Sequence, residues 1–263
     1  MRRILNYWEE SITYPSTPVV VPVRSGFGLF EIEDCREFIQ RNIYFLGYYE
    51  FRETGLIRQY LRAGDTFIDV GANIGWFTIL AAHIVGQNGQ VIAFEPSKKI
   101  YTHLQRNVQI NSLNNVKLEE FALAHKNGVA ILSGATSKNS GKGSITQIFN
   151  GLNNTVENVR TMRFDDYFLA NNLKRVRFMK IDVEGAEMMV LQGARSLLEK
   201  RWVSYLIIEV NDCYLRNIGS SSTEVISFFR ECGYHIFQIH NFGIRPLGPM
   251  EQISFANLFI KAS

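Results

Sequence analysis

Between Thr66 and Ala82 the sequence reads TFIDVGANIGWFTILAA. A strand-like run ends in an acid and a residue later meets a glycine turn; an apolar helix pattern then begins at once. Such a strand–glycine–helix unit constrains the fold strongly. It implies a βα crossover and leaves backbone N–H groups at a helix N-terminus, where a ligand can sit. The dinucleotide fingerprint GxGxxG sets its second glycine against a pyrophosphate. Here the spacing is GxxxG, from Gly71 to Gly75, and Asn73 stands where that glycine would be. Asp69 ends the strand; its carboxylate would repel a pyrophosphate but attract an ammonium. The helix N-terminus can take a carboxylate. The next strand, GQVIAFEP, ends in Glu95. An acid there can accept hydrogen bonds from both ribose hydroxyls and disfavours a 2′-phosphate. A ligand with a ribose, an ammonium, a carboxylate and no phosphate is S-adenosylmethionine. Asp69, Gly71, Asn73, Gly75 and Glu95 are therefore the expected cofactor-binding residues. Singly, each also fits a plainer role: a tight turn, a helix-terminal charge, a surface acid.

Strand and helix patterns alternate from Asp65 onward. TFIDV, GQVIAFEP, VKLEEFALA, VRFMKIDV, VSYLIIEV, YHIFQIH and ANLFIKAS read as strands. IGWFTILAAHIV, SKKIYTHLQRNVQIN, FDDYFLANN, GAEMMVLQGARSLLEK and TEVISFFRECG read as helices. This predicts an α/β fold with a doubly wound, seven-stranded, mostly parallel sheet. No helix pattern separates the last two strands, so the last should run antiparallel. The Gly-, Ser- and Asn-rich segment SGATSKNSGKGSITQIFNGLNNTVENV reads as loop or hairpin. Residues 1–63 form a mixed appendage, with a short strand at VVVPV and a helical pattern broken at Gly47. Residues 64–263 form the cofactor-binding domain.

The 263 residues are 46% hydrophobic and 20% charged, which suits one globular domain with such an appendage. A net charge of +3 is too small and diffuse to argue for nucleic acid. The basic run KRVRFMK reads as a solvated loop leading into a strand. Three well-separated cysteines argue against a disulfide framework or a zinc site and favour a reducing, cytoplasmic setting. The amino terminus lacks the apolar stretch of a signal peptide, and no apolar run is long enough to span a membrane.

A second cluster is unusual for a buried strand. In FMKIDVEGAEMMVLQGA, Lys180 and Asp182 share a strand face at the carboxyl end. Glu184, Gly185 and Glu187 follow at the turn, and Glu209 in LIIEV ends the neighbouring strand. The group is either an ion-pair network or a proton-transfer site. A metal is disfavoured because Lys180 would compete with it.

With these residues in view, the chain resembles the FkbM family of S-adenosylmethionine-dependent methyltransferases. The resemblance is carried by DVGANIGWFT, AFEPS, FALA, RFDDYF, KIDVEGAEMMVLQGA and IIEV, with LGYYE upstream. It implies a class I methyltransferase fold and O-methylation of a hydroxyl on a sugar, glycan or small metabolite. It places Phe121 and Ala122 of FALA in the cofactor site and Asp182 near the methyl group. Asp182, then Glu209, are the candidate bases, and Lys180 orients a carboxylate or the acceptor oxygen. Two alternatives remain open: an NAD-dependent oxidoreductase, which would need the missing glycine, and a non-catalytic cofactor-binding or scaffold protein.

Overall fold

The computed structural model describes residues 15–24, 26–133, 144–145, 156–241 and 243–263. Residues 1–14, which carry the sequence reading on a signal peptide, lie outside these, as does most of the Gly-, Ser- and Asn-rich segment. The chain opens with an antiparallel hairpin of β1 (Val19–Pro22) and β2 (Leu29–Ile32), then α1 (Phe38–Leu46) and α2 (Phe51–Tyr60). The break foreseen at Gly47 is the left-handed cap of α1, at φ 66°.

The regular part begins with β3 (Thr66–Val70), α3 (Trp76–Val85), β4 (Gln90–Phe94), α4 (Lys98–Ile110) and β5 (Val116–Glu119). A small second sheet follows, built from β6 (Ala122–Leu123), β7 (Gly128–Ser133), β8 (Ser144–Ile145) and β9 (Val156–Met162). Then come α5 (Phe164–Ala170), β10 (Val176–Ile181), α6 (Glu187–Gly193), α7 (Arg195–Glu199) and β11 (Val203–Asn211). The chain closes with α8 (Asp212–Asn217), α9 (Ser222–Glu231), β12 (Tyr234–His240), β13 (Gly243–Pro246) and β14 (Phe255–Ala262).

The large sheet runs β13-β12-β14-β11-β10-β3-β4-β5. The five strands from β11 to β5 pair in parallel, and β14 is antiparallel to both β11 and β12. The sheet therefore has eight strands among the described residues rather than the expected seven. The eighth, β13, comes from the Gly- and Pro-containing connection, which folds straight back on β12. Two further expectations are corrected. VKLEEFALA is not one strand: β5 stops at Glu119, Phe121 drops into the core, and Ala122–Leu123 pairs with β9. GAEMMVLQGARSLLEK is not one helix either. It breaks at Ala194, and the buried carboxylate of Asp165 accepts hydrogen bonds from the Ser196 and Leu197 N–H groups that the break exposes.

Alternation along the strands fills two cores. Ile68, Val70, Met179 and Ile181 face one side, with α5, α6 and α9. Phe67, Phe178 and Phe259 face the other, with α2, α3 and the N-terminal hairpin. Tyr205 stacks on Phe259 there, with ring centroids 5.9 Å apart. The N-terminal segment is also held by polar clamps from α4. Asn111 accepts from Leu29 N–H at 2.8 Å and donates to Leu29 O at 2.7 Å. The fully buried Asn107 accepts from Glu31 N–H at 2.8 Å and donates to Ile74 O at 2.8 Å, joining β2 to the glycine turn.

Asn107→Ala should leave both backbone partners unsatisfied and cost ~2–4 kcal/mol. A thermal midpoint several degrees lower would be the readout; an unchanged midpoint would mean the clamp contributes nothing.

Candidate active site

Strands β3 and β10 are neighbours whose helices lead off in opposite directions across the sheet, the place where open α/β sheets bind ligands. Their register sets Asp69 beside Lys180. Lys180 is only 3% exposed. A buried ammonium is costly unless it is paired, and here several groups meet it. Its Nζ lies 2.7 Å from Asp182 Oδ2, 3.7 Å from Glu50 Oε2 and 4.8 Å from the Phe77 ring centroid. Burial pulls the Lys180 pKa down, but the charges of Asp182, Glu50 and Asp69 outweigh it and hold the group ionised.

Asp69 itself is 1% exposed and accepts a 2.6 Å hydrogen bond from Thr78 Oγ1. Burial pushes its pKa up to about 6. It does not line the cavity above the turn; it lies beneath, bracing Lys180 and α3. Gly75 is likewise a packing position. It caps α3 at φ 98°, and a side chain there would run into Leu104. Gly71 does line the cavity. Its φ is 80°, and a Cβ would overlap the Asp182 carbonyl oxygen, so glycine is needed where the β3 and β10 turns touch.

The cavity above the turn is also lined by Asn73, Glu95, Phe121, Ala122, Lys180 and Asp182. Glu95 Oε2 accepts from Asn73 N–H at 3.0 Å, and Oε1 from Ser97 N–H at 3.0 Å. Burial lifts its pKa to about 7, and those two bonds pull the other way. Each oxygen keeps acceptor capacity for a ligand hydroxyl. No side chain caps the N-terminus of α3. A buried carboxylate, an uncapped helix start and a wall at Ile100, Phe121 and Leu123 fit the ribose, carboxylate and adenine of S-adenosylmethionine.

Glu209 lies across from this cavity, in a cleft of about 670 Å³ that shares Ile39, Tyr49 and Glu184 with it. One carboxylate oxygen each from Glu50, Asp182 and Glu209 lie within 4.8 Å of one another. Burial, then the nearby Asp182 charge, push Glu209 up to about 9. Burial raises Glu50 to about 7 against the pull of Lys180. Glu187 turns away: it accepts from Gly185 N–H at 3.0 Å, with its pKa raised to about 7 by burial. Sequence reasoning did not assign Glu50, which is far from β10 in the chain. The only pointer was LGYYE. Nor could periodicity show that Glu50, Asn73 and Glu184 all adopt left-handed backbone, a strained state that clusters at functional sites.

A family model described as the methyltransferase FkbM domain matches residues 69–236. A Beauveria bassiana protein named methyltransferase 1 is 30% identical over 56% of this chain and 66% of its own length. The 31-O-demethyl-FK506 methyltransferase FkbM of Streptomyces tacrolimicus is 26% identical, over 67% of this chain and 75% of its own. The hexuronic acid methyltransferase AglP of Haloferax volcanii is 27% identical, over 56% of each chain. The chain thus spans between about half and three quarters of these relatives. A crystal structure from Clostridium thermocellum, provisionally described as an rRNA methylase, superposes with a TM-score of 0.50. It covers 80% of this chain and 94% of its own at 13% identity, a likeness of fold alone.

Five buried or part-buried acids with raised pKa values give a pH signature. Their stabilisation is complete below the ordinary carboxylate range and is lost as pH rises through about 6 for Asp69, about 7 for Glu50, Glu95 and Glu187, and about 9 for Glu209. The ligand-free protein should melt at least ~2 °C lower at pH 9 than at pH 6. Glu209→Gln should flatten the slope above pH 7. A midpoint that rises with pH over this interval would contradict the assignment.

Proposed function

We propose that this chain, which belongs to the FkbM methyltransferase family, is an O-methyltransferase using S-adenosylmethionine to methylate a hydroxyl of a sugar, glycan or small metabolite. The observation that carries this reading is the position of Asp182. It lines the cofactor cavity and stands beside Glu50 and Glu209, which line the adjoining cleft.

When bound, the cofactor supplies a methyl on a sulfonium, whose carbon–sulfur bond breaks as the acceptor oxygen attaches, the electron pair staying on sulfur. The protein's part is alignment and removal of one proton. Glu95 and the turn around Asn73 hold the ribose end. Phe121 and Ala122 wall the adenine. Lys180 fixes Asp182 through Oδ2, and Oδ1 takes the hydroxyl proton as the oxygen attacks. Burial and the nearby Asp182 charge push Glu209 up to about 9, which suits a hydrogen-bond donor to the acceptor better than a base.

An oxidoreductase reading is opposed by Asn73 in the place of the pyrophosphate glycine and by Glu95 at the ribose. No helix among the described residues is long and apolar enough to cross a membrane. The three cysteines are unpaired, which supports a cytoplasmic setting. A small-molecule or glycan acceptor, rather than nucleic acid, suits the acidic cleft, since nucleic acid would need basic groups there.

A second reading is favoured by the three-carboxylate geometry: a divalent cation held by Glu50, Asp182 and Glu209. Lys180, already seated on Asp182, argues for the metal-free form.

Asp182→Asn should lower kcat at least ~100-fold while cofactor affinity changes much less. Labelled methyl transfer into an acceptor extract provides the assay. Unchanged turnover would leave the carboxylate structural and favour a non-catalytic role for the chain. The same assay in EDTA should keep its rate; loss restored by magnesium or calcium would replace the general-base reading with the metal one.

A further inference from the structure

The cleft beside Asp182 has a one-sided composition. The N-terminal helices supply one wall, and the ends of β11 and β14 supply the other. Phe38, Phe51 and Phe255 stand 52%, 71% and 59% exposed along it. Aromatic side chains this open are costly to leave in water and suit a ligand with a flat apolar face. The polar groups between them are carboxylates and amides, among them Glu37, Glu209, Asn42 and Asn257, with the hydroxyls of three tyrosines. Among the described lining residues there is no lysine or arginine. Lys180 is 4% exposed at its side chain and is already committed to Asp182 and Glu50.

Resting on the reading of Asp182 as the methyl-transfer site, we propose that this cleft is the acceptor site and filters by charge: it admits a neutral hydroxylated ring, of the glycoside kind, and rejects the anionic counterpart. Carboxylates and amides accept and donate hydrogen bonds to ring hydroxyls, and exposed aromatic rings pack on the C–H face of a sugar. An acceptor carboxylate or phosphate would meet Glu37 and Glu184 in a partly desolvated cleft, with no lysine or arginine among the described lining residues to pair it; Arg41, 5.9 Å from the Phe38 ring centroid, stands outside that lining. The Haloferax relative's hexuronic acid is the kind of acceptor this wall should turn away. The amide of Asn42 is bonded within its own helix, to Phe38 O at 2.7 Å, and marks a wall position where a cation can be introduced without disturbing the core.

Two matched probes test this: phenyl β-glucopyranoside and phenyl β-glucuronide, which differ by one carboxylate. Protein saturated with S-adenosylhomocysteine is titrated with each, and binding is read by ligand-observed NMR. The glucoside should bind at least ~10-fold more tightly. Phe51→Ala, at an exposed position that leaves the fold intact, should weaken it several-fold. Asn42→Lys should raise glucuronide affinity ~10-fold or more. Equal or tighter binding of the glucuronide to the wild type overturns the filter, as does absence of Phe51-dependent glucoside binding. Calorimetry of S-adenosylhomocysteine on the same sample separates the two levels. If the nucleoside fails to bind, the functional reading has failed; if it binds and the glycosides do not discriminate, only the filter has.

Discussion

One buried ammonium organises this molecule. Lys180 sits in the interior of a sheet strand, where an unpaired charge would be prohibitive. Its partners come from three places in the chain: Asp182 directly after its own strand, Asp69 on the neighbouring strand and Glu50 from the N-terminal helices. Removing Lys180 would leave the buried carboxylates facing one another without a counter-charge. The ammonium therefore ties the appendage to the sheet at the point where the sheet's order reverses. The acidic cluster around it is the consequence. Three carboxylates crowd one cation, and desolvation pushes Glu50 and Glu209 toward their protonated forms.

That crowding divides the work among like side chains. Asp69 is held by Thr78 beneath the turn, Asp182 by Lys180 at the junction of two cavities, and Glu95 by two backbone N–H groups. Glu187 closes its own turn. Four acids that look interchangeable in the sequence are separated by what donates to each. The same contacts explain the glycines. Gly71 lets the β3 turn touch the Asp182 carbonyl, and Gly75 lets α3 meet Leu104. The turn keeps its shape for the sake of the packing around it, and the ligand cavity is the space left over.

Much of this was legible in the sequence. The strand and helix order, the reversed last strand and the shared face of Lys180 and Asp182 follow from periodicity, which depends on near neighbours. Six of the seven expected strands lie in the large sheet, and the seventh, VKLEEFALA, does so only through Val116–Glu119. What could not be read depends on distant partners. VKLEEFALA looks continuous, yet β5 ends because the chain must carry Phe121 into the core and Ala122 across to β9. The break at Ala194 becomes affordable only because Asp165 reaches over to cap it. Asp69 was expected to face a ligand and faces Thr78, since a local motif does not reveal which side of a turn a buried carboxylate is drawn to. Glu50 belongs to the site through tertiary contact alone. LGYYE resembles the family's lead-in to the fold and by itself gives Glu50 no role.

If the cavity above Gly71 holds the nucleoside of S-adenosylmethionine through Glu95, as proposed, affinity for the nucleoside must depend on that carboxylate. Titration calorimetry with S-adenosylhomocysteine, on the wild type and on Glu95→Ala shown by its thermal melt to remain folded, tests it most directly. Micromolar binding to the wild type, ~−7 to −8 kcal/mol, is expected, with at least ~10-fold weaker binding to the variant because charge-assisted bonds to the ribose are lost. NADH binding more tightly than S-adenosylhomocysteine, or unchanged affinity in the folded variant, would contradict it.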